Sequence, residues 1–86
     1  MTLEIAIAYT TPSRIDIECA GKKASLQGES FARGHGSPDF VVFANQPACW
    51  DTPFGKERIE EAERQAIQAQ VLGLLRARGW SIELEQ

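Results

Sequence analysis

Residues 48–63 read ACWDTPFGKERIEEAE, and the fold turns on where in this stretch extended chain gives way to helix. Trp50-Asp51-Thr52-Pro53 reads as a helix-opening turn: proline's fixed φ and missing N–H suit a helix entry, and Asp51 or Thr52 supplies a capping oxygen. That account has no use for the tryptophan ring. Trp50 is therefore either a core anchor packed beneath the turn or a partly exposed aromatic anchor for a partner.

Downstream, residues 56–78 carry a helical period. Ile59, Ala66, Ile67, Val71, Leu74 and Leu75 fall on one side of a wheel, and Glu57, Glu61, Arg64, Gln65 and Gln68 crowd the other. Glu57, Glu60, Glu61 and Glu63 lie in the first turns and Arg76 and Arg78 in the last, complementing the helix dipole, and Gly79 is placed to end it. Beyond it, WSIELEQ alternates Trp80, Ile82 and Leu84 with polar residues, the pattern of a strand with one buried face. Trp80 shares that apolar face, so it is expected to be the more buried of the two tryptophans.

Upstream, the period is two. Leu3, Ile5, Ile7 and Tyr9 alternate with small or polar residues, and RIDIECA (residues 14–20) sends Ile15, Ile17 and Cys19 one way and Arg14, Asp16 and Glu18 the other. Ala20-Gly21-Lys22-Lys23 supplies a tight turn into KASLQGES, with Ala24 and Leu26 inward, which makes this the strongest hairpin signal in the chain. Residues 28–39, with three glycines, a proline and the only histidine, read as a long loop. FVVF at residues 40–43 is continuously apolar, as in a central strand covered on both sides, and Asn45-Gln46-Pro47 breaks it. The predicted fold class is α+β: a mostly antiparallel sheet of about five strands with one long amphipathic helix on one face, in the order β-β-β-loop-β-α-β.

Eighty-six residues with 43% hydrophobic and 24% charged side chains make a single globular domain. A formal net charge of −3 and no basic run longer than Lys22-Lys23 leave phosphate neutralisation without its raw material, which argues against nucleic-acid binding. The longest apolar run, residues 40–44, is far short of the ~20 residues of a membrane span, and MTLEIAIAYT has no basic leader region, so a cytoplasmic protein is expected. Cys19 and Cys49 have no C-x-x-C spacing and no second ligand type nearby, and are expected to be reduced thiols.

No catalytic set emerges. His35 is the only histidine available as a base, in the glycine-rich context Arg33-Gly34-His35-Gly36-Ser37. The same glycines do not make a phosphate loop, because they lead into a strand and no Lys-Ser/Thr pair follows. The carboxylates Glu57, Glu60, Glu61 and Glu63 read as a solvated face that complements the dipole, or as a negative patch for a cationic partner surface. With Trp50 and Asp51, the residues Glu57, Glu60 and Glu61 are the candidates for partner binding.

The order of these features resembles a known family. Gly28-Glu29 after the second hairpin strand, residues 40–45, Trp50-Asp51-Thr52-Pro53, Ile59-Glu60-Glu61-Ala62-Glu63 and Arg78-Gly79-Trp80-Ser81-Ile82-Glu83 are similar to the immunity protein 74 family of bacterial polymorphic-toxin systems, over residues 14–85. The resemblance implies an α+β domain that is not an enzyme, takes no cofactor and neutralises a cognate toxin by direct binding. The alternatives are a small enzyme or ligand-binding domain using the 28–39 loop with His35, or a non-catalytic scaffold subunit.

Overall fold

In the computed structural model, which describes residues 4–30 and 39–85, one helix packs on a mixed sheet. The elements are β1 (Ala6–Thr10), β2 (Arg14–Cys19), β3 (Lys22–Ser30), β4 (Phe40–Val42), β5 (Cys49–Thr52), β6 (Gly55–Arg58), α1 (Glu61–Ala77) and β7 (Ile82–Leu84). The class is α+β, as the periodicities require, with seven strands among the described residues instead of five. Leu3, His35 and Ser37, singled out from the sequence, lie outside the described residues.

β3 organises the sheet. Along one side it pairs with β2 from Lys22 to Gln27, and along the other it pairs first with β5, at Lys23–Asp51, and then with β4, at Gly28–Val42 through Ser30–Phe40. β4 in turn takes β7 as a parallel neighbour. Gly28 is required at this crossover because a Cβ there would collide with the Val41 carbonyl and the Phe40 ring. The 28–39 segment is therefore not all loop: Gly28, Glu29 and Ser30 extend β3.

The β2–β3 hairpin closes through Ala20 and Gly21, both at positive φ (52° and 82°), the geometry of a two-residue type I′ connection. β1 departs from simple alternation. Its pairing with β2 shifts between Ile7 and Tyr9, so a bulge turns Tyr9 to the outer face, where it is 63% exposed. FVVF alternates too, with Phe40 and Val42 buried and Val41 half-buried, so β4 is central in the ladder but covered on one face.

One core unites the sheet and helix: Ile15, Ile17, Ala24, Leu26, Phe40, Val42, Trp50, Ile59, Ile67, Val71, Leu75 and Ile82. Sequence periodicity places Gln68 on the polar side of α1 and Ala66 on the apolar side; the structure reverses both. Gln68 is 5% exposed because its Nε2 donates to the carbonyls of Ala44 (3.0 Å) and Gln46 (2.7 Å), satisfying a buried amide and holding the β4–β5 connection against the helix. Arg64 adds a bond from Nε to the Pro47 carbonyl (3.2 Å). The helix ends as expected: Gly79 takes φ 89°, its N–H donates to Arg76 and that of Trp80 to Leu75, the paired bonds of a Schellman motif.

Candidate functional site

The opening stretch is a β-hairpin, not a helix entry. β5 and β6 pair from Cys49–Arg58 to Thr52–Gly55, and α1 starts only at Glu61. Lys56, Glu57 and Arg58 suit a helix by propensity, yet pairing with β5 supplies ladder bonds that a solvent-exposed helical extension would lack. Pro53 and Phe54 form the two-residue connection. Thr52 organises it: its hydroxyl donates to the Gly55 carbonyl (2.9 Å) and accepts from the Phe54 N–H (3.1 Å). Glu60 occupies the helix N-cap without a side-chain capping bond, so neither Asp51 nor Thr52 caps α1.

Trp50 is a core residue, 2% exposed, and Trp80 is only half-buried, the reverse of the expected ranking. Trp80 lies just before β7, directly after the helix cap, whereas β5 carries Trp50 into the space between β3 and the start of α1. The Trp50 indole N–H donates to Glu63 (3.0 Å). This bond ties the hairpin to the first turn of the helix, and Trp50 has no free ring face to offer a partner.

Strand alternation splits the sequence-derived candidates. Trp50 and Glu57 are cross-strand partners on one face of the hairpin, and Asp51 and Lys56 are partners on the other. Glu57 accepts an ion pair from Lys22 at 2.9 Å. The Lys22 ammonium is held above the ordinary lysine range, first by this hydrogen bond and further by the charges of Glu57 and Glu63. Glu60 and Glu61 follow at the helix start, both exposed, with Glu61 paired to Arg64. The structure therefore brings Glu57, Glu60 and Glu61 to one hairpin–helix junction and leaves Asp51 across the hairpin from them.

Sequence reasoning missed Phe54, which is 99% exposed at the hairpin tip. The signal was present: in Thr52-Pro53-Phe54-Gly55, proline in the second place and glycine in the fourth mark a β-turn, not a helix start. Elsewhere, Cys19 and Cys49 are free thiols, both half-buried. Among the described residues no group of His, Cys, Asp and Glu is arranged to hold a metal ion, and no helix is long and apolar enough to cross a membrane.

A family model described as immunity protein 74 matches residues 5–85. No curated protein and no solved structure matches the chain. The match spans all the strands and the helix of the described residues, including the β5–β6 hairpin and its junction with α1, and the chain belongs to the immunity protein 74 family.

Proposed function

We propose that this protein neutralises a cognate toxin by direct binding, without catalysis and without a cofactor. The observation that carries this reading is the family match over residues 5–85. In this reading the docking surface is the β5–β6 hairpin and its junction with α1. Glu60 supplies a negative field on one side, joined by Glu57 and Glu61 whose charges are partly offset by Lys22 and Arg64, and Asp51 flanks the hairpin on the other, so a partner that embraces the hairpin meets both. Complementary charge of this kind steers encounter and sets register more than it adds affinity. Trp50 acts from beneath, holding the hairpin to the helix through Glu63.

The test is a pair of measurements with a toxin domain sought in the reading frames beside this gene, used active in the first and with its activity disabled in the second. Co-expression of this protein with the active toxin should restore growth, and purified partners should form a stable complex. Reversing Glu60 and Glu61 to lysine should then slow association several-fold and flatten its salt dependence, with far-ultraviolet circular dichroism unchanged. Glu60 is the cleanest position, because its side chain makes no capping bond to α1. No protection and no complex would overturn the reading; unchanged association rates in the folded double variant would move the docking surface elsewhere.

A further inference from the structure

Phe54 gains nothing from its own fold. At 99% exposure the ring touches none of the core, and leaving a large apolar side chain wholly in water forgoes the burial that otherwise justifies an aromatic residue. Yet the backbone that carries it is braced at every level. Pro53 fixes φ just before it, and the Thr52 hydroxyl locks the turn with two hydrogen bonds. Below the turn, the Lys22–Glu57 ion pair ties β6 to β3, and Trp50, buried and bonded to Glu63, fixes the base of the hairpin on the helix. A hairpin braced by these contacts, with an unburied ring at its tip, is partly preorganised: seating the ring elsewhere costs less chain entropy than ordering a free loop.

We infer that Phe54 is the anchor of this protein's complex, inserting into an apolar pocket on the protein partner while the carboxylates of the hairpin and helix start meet that pocket's rim. This rests on the reading of the chain as a toxin-binding protein. The surroundings of the ring select the occupant. Asp51, Lys56, Glu57 and Arg58 form a charged collar two to four residues away, which suits a pocket with a polar rim and opposes insertion into a lipid surface, where those charges would need desolvation. The shape is convex, so the complementary surface is concave. A single ring at the centre of such a contact, ringed by polar groups that exclude water, is the usual composition of a binding hot spot.

The experiment measures binding of Phe54→Ala, Phe54→Leu and wild-type protein to the disabled toxin domain from the neighbouring reading frame, with thermal melting of each variant alone. The expected result is an unchanged melting temperature, a loss of about 30-fold or more in affinity for Phe54→Ala, mostly in dissociation rate, and partial rescue by Phe54→Leu. Thr52→Val, which leaves the ring but unlocks the turn, should weaken binding by a smaller factor. If wild type binds and Phe54→Ala binds equally well, the anchor assignment is overturned while the proposed function stands. If wild type does not bind, both fall. A lowered melting temperature in Phe54→Ala would overturn the inference by showing that the ring serves its own fold. So would self-association of the wild type that Phe54→Ala abolishes, by assigning the pocket to a second copy of this chain.

Discussion

Replacing Trp50 with alanine is the sharpest test of how the hairpin is held. The side chain is 2% exposed, so nearly all of a ring system that buries about 200 Å² is removed from the core. At about 25 cal/mol per Å² that area corresponds to about 5 kcal/mol before alanine's own share is subtracted, in line with the roughly 3–5 kcal/mol typical of buried aromatic-to-alanine changes. Losing the indole bond to Glu63 adds only about 1 kcal/mol, because the carboxylate is half-buried and can rehydrate. A total of about 4 kcal/mol results. A domain of 86 residues has a stability of roughly 4–13 kcal/mol, and each kcal/mol shifts its melting temperature by about 4–8 °C. Trp50→Ala should therefore lower the melting temperature by about 15–30 °C or leave the chain unfolded. Trp80→Ala, removing a half-buried ring, should cost only about 1–2 kcal/mol. Urea and thermal unfolding followed by far-ultraviolet circular dichroism read both variants without relying on the tryptophans themselves. Trp50→Phe, which keeps most of the packing and loses the N–H donor, should fall between them. If Trp80→Ala proves the more destabilising, the argument that β5 delivers Trp50 to the core is wrong.

Other perturbations follow from single contacts. Gly28→Ala forces a methyl group into the Val41 carbonyl and the Phe40 ring where β3 meets β4, and should cost roughly 3 kcal/mol in a denaturant titration; a neutral result would contradict that close approach. Ala20→Asn should stabilise by about 0.5 kcal/mol, since Ala20 holds φ 52° in a two-residue turn where asparagine before Gly21 is favoured, and a loss of stability would contradict the turn geometry. The Lys22 ammonium, raised above 10.5 by Glu57, makes a contribution that is fully present below that value and disappears as pH rises through the folded-state value. Lys22→Met should accordingly lose a small increment of stability near neutral pH and show a flatter stability profile than wild type above pH 10, and identical profiles would rule the ion pair out as a brace of the hairpin.

Much of the fold was legible because burial on one face imposes a period. Arg14–Cys19, the turn at Ala20-Gly21 and the inward Ala24 and Leu26 follow from alternation and turn chemistry alone. The helix is equally readable from Ile67, Val71 and Leu75, and Gly79 ends it by taking a positive φ that glycine, unlike residues with a side chain, adopts without strain. What only the tertiary structure decided lies where local preference is weak or divided. Residues 55–58 have no apolar side chain to declare a period, so their pairing with β5, and not the helix propensity of Lys56, Glu57 and Arg58, makes them a strand. Gln68 looks like a surface residue until the carbonyls of Ala44 and Gln46 arrive from more than twenty residues away to satisfy it. For the two tryptophans the local pattern points the wrong way, since alternation with Ile82 and Leu84 favours Trp80 while the core encloses Trp50. Depth depends on where β5 is carried by its partners, a non-local fact, and the same pairing that buries Trp50 leaves Phe54 in solvent at the tip.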